Sequence, residues 1–460
     1  MKALADPGNA LGRGLSAIRA QFGIPDGFPP EVLAEAEKAA LRAPTEHADR
    51  TSLPFVTLDP ASSTDLDQAF AIEPSGKELL LRYAIADTAW FVDDGGAVDR
   101  EAWRRGTTQY LPDGKAGLYP PVLSEGAASL LPDGPRPAVI FTIRVAPDGA
   151  VGLDGAERAI VRSRAKLAYD QVNPADLPGF VELSDRIQAA ELARGAARVN
   201  PPAQEVMPLG GGRFELVFRP QLESEVRNAA LSLACNLAVA KALQAHKTGL
   251  FRVMAEPEAW AVRRLRHTAH ALGLSWPRAM ALPDFERRLD SGDPKQAAFM
   301  LAVRRSGKGA FYEPFREGTT PWHAAVAATY AHSTAPLRRL ADRYVVRATL
   351  AVANGDEVPG AVTEAFGKLA PIMAKADALG GRIERAAIDL AEAVMLSTSV
   401  GQSFAAVATE VDERGVRIQL SDLPVVARVA AGGVEAGDKL RVSLVAADTD
   451  RGTIEFAPAT

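Results

Sequence analysis

Cysteine and histidine are scarce in this chain of 460 residues, which has one cysteine and six histidines. The lone thiol, Cys235, excludes an intrachain disulfide framework, and no CxxC or HExxH spacing indicates zinc. We therefore expect a reducing, cytoplasmic location. The sequence also has no uninterrupted apolar run of about 18 residues and no continuous apolar signal core near its start, so neither membrane association nor a targeting segment is expected.

Positive charge is not in excess either, because 52 lysines and arginines face 57 aspartates and glutamates, for a net charge of −5. No global positive field would attract a polyanion, so a nucleic-acid substrate would require a local basic channel. The chain is 47% hydrophobic and 24% charged, which is typical of a folded protein. This composition excludes a disordered or fibrous chain.

The order of patterns along the chain predicts an α+β fold. Residues 1–50 have helical apolar spacing and a Pro-Pro pair before EVLAEAEKAAL, which predicts a short helical segment. Within residues 51–400, short β-rich runs separated by Pro, Gly and Asp clusters come first, and Ala/Leu-rich helical stretches follow. Residues 401–460 show about five short alternating strands, which predicts a small all-β barrel of the OB-fold type.

An acidic cluster occurs in PFVTLDPASSTDLDQAF, where Asp59 ends a β-run and Asp65 and Asp67 follow a Pro/Ser/Thr turn. Converging carboxylates repel each other unless a cation neutralises them, and oxygen ligands suit Mg²⁺ or Mn²⁺ rather than zinc. Two such ions about 3.5 to 4 Å apart would support phosphodiester hydrolysis. The alternative is that these residues only cap a turn.

This acidic stretch resembles the signature D-x5-D-x-D-D of the ribonuclease II / RNase R family, whose catalytic domain is called RNB. Gln68 stands where the family has its fourth acid. The resemblance extends over residues 53–400, and the segment FPPEVLAEAEKA resembles the one that precedes RNB in such enzymes. Further blocks follow in the family's order: YAIADTAWFV, RRGTTQYLPD, LYPPVLSEGAASLLPDGPRPA, SRAKLAYDQV, YAHSTAPLRRLADRYVVR and RIERAAIDLAEAV.

The resemblance implies a mixed sheet with helices and a 3′-to-5′ exoribonuclease that releases nucleoside 5′-monophosphates from single-stranded RNA with Mg²⁺, or with Mn²⁺ in its place. It implies that Asp59 and Asp65 are metal ligands and that Asp67 is both a ligand and the acid most directly tied to catalysis. Gln68 falls at a further ligand position. Its amide can bind a hard cation but adds no charge, so we expect weaker metal binding.

Distal residues acquire roles through the same resemblance. Arg338 in STAPLRRLADR matches an arginine that contacts the phosphate, a task suited to a planar bidentate group. Glu384 matches a glutamate near the leaving nucleotide, with a surface acid as the alternative. Tyr110 matches an aromatic that stacks on the terminal bases. Tyr169 also falls on a family aromatic, with a core tyrosine as the alternative.

A basic stripe is a further possibility, because Arg339, Arg343 and Arg347 follow Arg338 at helical spacing. A solvated helix face is the competing interpretation of these three arginines. Only Arg338 is therefore assigned to the site.

The sequence departs from the family pattern at two places outside the acidic cluster. ARVNPPAQEVM lacks the second stacking aromatic, and Ala229 and Ala230 stand where a Glu-Glu pair is expected. A catalytically impaired RNB-like RNA-binding protein is therefore the first alternative, and an unrelated metal-dependent phosphatase is a remote one. No feature implies a protein partner, and we expect a monomer.

Overall fold

The computed structural model describes residues 4, 6, 8–197, 203–219, 221–290, 293–307, 309–412 and 415–459. The helices are α1 (Ala10–Phe22), α2 (Pro30–Ala40), α3 (Thr88–Phe91), α4 (Ala97–Arg105), α5 (Phe180–Ala193), α6 (Glu223–Ala245), α7 (Ala259–Ala271), α8 (Leu282–Glu286), α9 (Pro294–Ser306), α10 (Leu340–Asn354) and α11 (Gly360–Leu396). A π-helical turn covers Leu123–Ala127, and a 3₁₀ turn covers Pro174–Asp176.

The strands are β1 (Ala48–Asp49), β2 (Thr57–Asp59), β3 (Gln68–Ser75), β4 (Glu78–Ala86), β5 (Gln109–Leu111), β6 (Gly114–Ala116), β7 (Arg136–Val145), β8 (Val151–Val161), β9 (Lys166–Ala168), β10 (Ala203–Gly210), β11 (Arg213–Arg219), β12 (Leu250–Val253), β13 (Phe311–Pro314), β14 (Trp322–His323), β15 (Ala328–Thr329), β16 (Ser403–Asp412), β17 (Gly415–Leu420), β18 (Val426–Val429), β19 (Lys439–Asp448) and β20 (Thr453–Pro458).

A five-stranded sheet in the order β1-β8-β7-β4-β3 forms the centre of the molecule. Its pairs are antiparallel except for β1, which lies parallel to β8. Helices α6 and α10 pack against this sheet, and both bury apolar residues around much of their circumference. Removal of these side chains from water stabilises the layered core, so β3 and β4 form a rigid support for the residues at the ends of these strands.

The long helix α11 connects this core to the rest of the chain. Its 37 residues include Pro371, and its apolar side chains pack against both α1 and the hairpin formed by β5 and β6. The predicted helices near the N-terminus are present as α1 and α2. Helix α1 ends at Phe22 and is followed by Gly23, whose φ of 61° is a conformation that glycine adopts without steric cost.

The C-terminal strands close into a barrel in the order β16-β17-β18-β20-β19. Its interior is filled by alternate residues of each strand, among them Val416, Ile418 and Leu444. The predicted α+β fold class and the terminal OB-like barrel are thereby confirmed. The boundaries at residues 50 and 400 stay predictions.

The predominantly helical part of the chain also contains strands that the sequence patterns did not reveal. β10 pairs with β11, β12 with β13, and β14 with β15. The first hairpin turns through Gly210, Gly211 and Gly212, all with positive φ, so the GGG triplet was the available signal. No described helix combines the length and apolarity needed to cross a membrane.

Candidate active site

Asp59 lies at the end of β2, which pairs in parallel with β9. The backbone N–H of Tyr169 donates to the Asp59 carbonyl at 3.3 Å, so the two segments stay together beyond the paired residues. The side-chain Oδ2 atom of Asp59 is buried and has no hydrogen-bond partner among the described residues. Burial raises the pKa of Asp59 to about 7, although the nearby Arg338 guanidinium opposes this rise.

Asp65 and Asp67 lie in the turn between β2 and β3, and they face different cations. The Oδ1 atom of Asp65 is 2.8 Å from Lys115 Nζ, and its Oδ2 atom is 3.4 Å from the Tyr110 hydroxyl. The buried Asp67 instead has its Oδ2 atom 3.2 Å from Arg338 Nε. The sequence-predicted aspartates therefore share one region with Arg338 and Tyr110.

The carboxylate of Asp67 is the most enclosed of the three. Its Oδ1 atom accepts a hydrogen bond from the Leu337 backbone N–H at 2.7 Å. Burial raises the pKa of Asp67 to about 7, while Arg338 and the Leu337 amide lower it. Because Leu337 and Arg338 are adjacent, one carboxylate joins the acidic turn to the arginine loop across 270 positions of sequence.

Gln68 is the first residue of β3, and its amide oxygen already has hydrogen-bond partners. Oε1 accepts from the Tyr83 hydroxyl at 2.7 Å and from Ser232 Oγ at 3.3 Å. An amide oxygen can accept more than one hydrogen bond, and both donors belong to the core beside the site. Its role as a metal ligand stays a prediction.

The loop before α10, which carries Arg338, is held by buried side chains of two helices. On α6, Asn236 Oδ1 accepts from both the backbone N–H and the hydroxyl of Ser333, each at 2.9 Å. On α10, Asp342 Oδ2 accepts from the Ala335 backbone N–H at 2.8 Å. These bonds fix the backbone just before Arg338, so its guanidinium is presented from a rigid loop.

Tyr110 lies on β5, directly beside this loop. The Thr108 backbone N–H donates to the Arg338 carbonyl at 3.0 Å, and the Tyr110 ring is 53% exposed. An exposed aromatic face next to a cationic group can stack on a nucleobase. Tyr169 is half-buried instead, and its hydroxyl accepts from Asn228 Nδ2 at 2.8 Å.

Glu384 lies on an exposed part of α11. The same helix reaches the Tyr110 hairpin about two turns earlier, where Gln109 Nε2 donates to the Ala376 carbonyl at 3.3 Å. The described residues do not include a direct contact between Glu384 and the acidic cluster. Its predicted role near the leaving nucleotide stays a prediction.

The three arginines that follow Arg338 form neither a free basic stripe nor a simple solvated face. Each is paired with a carboxylate: Arg339 with Asp342 at 2.7 Å, Arg347 with Asp94 at 2.7 Å, and the fully buried Arg343 with Asp99. Both interpretations of the stripe are therefore wrong. Helical spacing cannot reveal that distant segments supply counter-charges.

Sequence reasoning missed two lysines that face the cluster. Lys115 contacts Asp65, and Lys166, whose Nζ atom donates to the Ala61 carbonyl at 2.8 Å, lies close enough to lower the pKa of Asp59. Lys166 lies within the block SRAKLAYDQV, three positions before Tyr169, and Lys115 lies two positions after the block RRGTTQYLPD, five positions after Tyr110. That proximity was the signal for them.

The side chains of the acidic cluster fit a divalent cation. In the described part of the chain, no three acidic, histidine or cysteine side chains converge as a ready metal cluster, since Asp65 faces Lys115 and Asp67 faces Arg338. However, Asp59 keeps a buried oxygen without a partner, and all candidate ligands are oxygens. An oxygen-only set with a buried carboxylate oxygen that lacks a hydrogen-bond partner suits Mg²⁺ or Mn²⁺.

Two further departures from the family pattern are the alanine pair in place of Glu-Glu and the missing second aromatic. Ala229 and Ala230 lie on α6, in the turn that follows Asn228, and they bring no charge to the Tyr169 side of the site. Within the stretch ARVNPPAQEVM, which lacks the second aromatic, residues 198–202 lie outside the described residues, and residues 203–207 belong to β10.

Comparison with known proteins gives matches along most of the chain. The family described as RNB domain matches residues 47–355, and the RNase II-type exonuclease C-terminal S1 domain matches residues 402–459. Ribonuclease R of Aquifex aeolicus is 26% identical over 500 aligned positions, covering 96% of this chain and 70% of that protein. Ribonuclease R of Escherichia coli is 28% identical over 438 positions, covering 87% and 53%.

Solved structures share the fold. Mycoplasma genitalium RNase R in complex with ribose-methylated single-stranded RNA has a TM-score of 0.88 at 21% identity, covering 100% of this chain and 79% of that one. Yeast Ssd1, a pseudonuclease, has a TM-score of 0.69 at 15% identity, covering 96% and 57%. Because a pseudonuclease has this fold too, the side chains of the site and not the fold must carry an argument about activity.

Proposed function

The chain belongs to the RNB family, and we propose that it is a 3′-to-5′ exoribonuclease that hydrolyses single-stranded RNA to nucleoside 5′-monophosphates with a divalent metal ion. The observation that carries this proposal is the position of Asp67, held between the Leu337 amide and the Arg338 guanidinium. A buried carboxylate beside a partly exposed arginine joins a metal ligand to a phosphate-binding group.

Asp59, Asp67 and, through its remaining oxygen, Asp65 would hold the metal. When bound, Mg²⁺ or Mn²⁺ supplies a Lewis acid that stabilises charge on a phosphoryl oxygen and activates water. Arg338 has 46% of its side chain exposed while its Nε atom faces Asp67, so part of the guanidinium can bind the phosphate. The fixed loop around Arg338 limits how far this group moves, which favours one orientation of the phosphate.

The RNA 3′ end would be positioned by Tyr110. Its exposed ring lies on a short hairpin that is tied to the arginine loop at Thr108 and to α11 at Gln109. A base stacked on this ring would be held at a fixed separation from Arg338. Glu384 and Tyr169 remain proposed contributors, near the leaving nucleotide and beside Asp59 respectively.

Tyr110→Ala is expected to weaken the binding of short RNAs by about 1 to 3 kcal/mol and to lengthen the limit product, because base stacking is lost. Long RNAs should be affected less, since many phosphate contacts hold them. The measurements are a product ladder on a denaturing gel and affinities for a short and a long oligomer. Tyr110→Phe is the matched control because it keeps the ring and removes only the hydroxyl that faces Asp65. Unchanged ladders and affinities in the Ala variant would assign Tyr110 a different role.

Gln68→Glu is expected to lower the Mg²⁺ concentration needed for half-maximal activity, because a carboxylate adds a negative charge at a ligand position. Glutamate keeps the length of glutamine and can still accept from Tyr83 and Ser232. The measurement is the Mg²⁺ dependence of hydrolysis, together with a thermal unfolding curve. An unchanged or higher requirement in a folded variant would exclude Gln68 from the metal site.

The decisive experiment is incubation of the purified chain with a 5′-labelled oligoribonucleotide, with Mg²⁺, with Mn²⁺ or with a chelator. We expect metal-dependent shortening from the 3′ end and release of mononucleotides. The matching oligodeoxyribonucleotide should stay uncleaved, which would show selectivity for RNA. RNA binding without hydrolysis would favour the impaired RNA-binding protein instead. A cytoplasmic location also belongs to this proposal and is supported by the lone, buried Cys235. A monomeric state stays an expectation.

A further inference from the structure

Lys115 is a cationic side chain within the acidic cluster to which the proposed function assigns no role. It lies in the middle of β6, and its Nζ atom is 2.8 Å from Asp65 Oδ1 and 3.1 Å from Glu125 Oε1. Glu125 is itself fixed, because its second oxygen accepts from the Thr64 hydroxyl at 2.9 Å. With 23% of its side chain exposed, the lysine is held between two carboxylates. Its ammonium therefore occupies one oxygen of a predicted metal ligand.

The charges around the acidic turn, within the described residues, fall into two sets of opposite sign. Arg339 lies behind them and is already paired with Asp342. The carboxylates are those of Asp59, Asp65, Asp67 and Glu125, and the cationic groups are those of Lys115, Lys166 and Arg338. The excess negative charge is therefore small. The two positive charges of one divalent ion already exceed this excess negative charge. A second ion would leave a strongly positive site before any phosphate binds.

We propose that the Lys115 ammonium is a resident cation of this cluster, which occupies one oxygen of Asp65 and restricts the site to one divalent ion, held by Asp59, Asp67 and the other oxygen of Asp65. The neutral Gln68 agrees with this assignment, because its amide oxygen faces Tyr83 and Ser232 and adds no charge for a second ion. Lys115 thus takes the electrostatic place of a further metal ion on the Asp65 side. This inference rests on the proposed function only in taking the acidic cluster as the metal site.

The test is calorimetric titration of the full chain with MnCl₂ in the absence of RNA, so that binding is measured without activity. The wild type is expected to take one Mn²⁺ per chain. Lys115→Met removes the positive charge and keeps a side chain of similar length. This variant should bind a second Mn²⁺ or bind the first at least about tenfold more tightly. Lys115→Arg, which keeps the charge, should behave as the wild type.

Lys247→Met is the matched control, because Lys247 also lies 2.8 Å from a glutamate, Glu317, at an exposed position outside the site. It should leave Mn²⁺ binding unchanged. If Lys115→Met does not fold, as judged by thermal unfolding, Lys115→Gln is titrated in its place. Two ions in the wild type, or the same number and affinity in the wild type and the charge-removing variant, would overturn the inference.

Failure of this inference and failure of the proposed function give different results. If the wild type shortens RNA but Lys115→Met leaves Mn²⁺ binding unchanged, the function stands and the role of Lys115 is refuted. If Mn²⁺ binding changes as expected but the wild type does not hydrolyse RNA, Lys115 keeps its assigned role and the exoribonuclease proposal fails.

Discussion

Asp67→Asn is expected to lower the rate of RNA hydrolysis by at least about two to three orders of magnitude while RNA binding persists. Asparagine has nearly the same shape as aspartate, and its amide oxygen can still accept from the Leu337 backbone N–H. The negative charge that faces Arg338 is lost, and so is a charged oxygen for the metal. The loop geometry should therefore survive while the chemical step is slowed.

Single-turnover hydrolysis and RNA affinity in the presence of a chelator separate these two effects for Asp67→Asn. Asp154→Asn is a suitable control, because Asp154 on β8 pairs with Arg144 on the neighbouring β7 and not within the site. The control should retain normal turnover. Near-normal turnover of Asp67→Asn itself would remove Asp67 from the proposed mechanism.

The acidic turn and the barrel could be predicted because their signals are local. Alternation of apolar residues specified the barrel strands, and the spacing of Asp59, Asp65 and Asp67 followed a recognisable β-run. Each pattern is formed by the same few neighbouring residues that form the predicted structure. Such features are independent of how distant parts of the chain meet.

The environment of each charge could not be predicted, because it depends on contacts between distant segments. Nothing near Asp67 in sequence indicates that Leu337 and Arg338 complete its surroundings, and nothing near Arg343 indicates that Asp99 neutralises it. The resemblance placed Arg338 at the site, but the position of Lys115 beside Asp65 follows only from the folded hairpin. The fold therefore decides which charges remain available to a metal or a phosphate.

Arg338→Lys is expected to reduce kcat by about 10²- to 10³-fold, the usual effect of losing one well-placed donor to developing negative charge. Lysine keeps the positive charge, but it lacks the planar fork that can face Asp67 through Nε and a phosphate through its other nitrogens. KM for a long RNA should change little, because many phosphate contacts outside this position hold the strand. Arg347→Lys serves as the matched control, since Arg347 lies on α10 and forms a bidentate pair with Asp94 at the surface.

The comparison of Arg338→Lys with Arg338→Ala distinguishes phosphate binding from the support of Asp67. If Arg338 served only to balance the Asp67 charge, lysine would restore most of the activity that alanine loses, because an ammonium can balance a carboxylate as a point charge. If it also orients the phosphate, both variants should have a low kcat, and only the alanine variant should additionally lose stability from an uncompensated buried carboxylate. Steady-state kinetics and thermal unfolding of both variants measure these two effects. A lysine variant with wild-type kcat would show that the planar geometry of Arg338 is not required for hydrolysis.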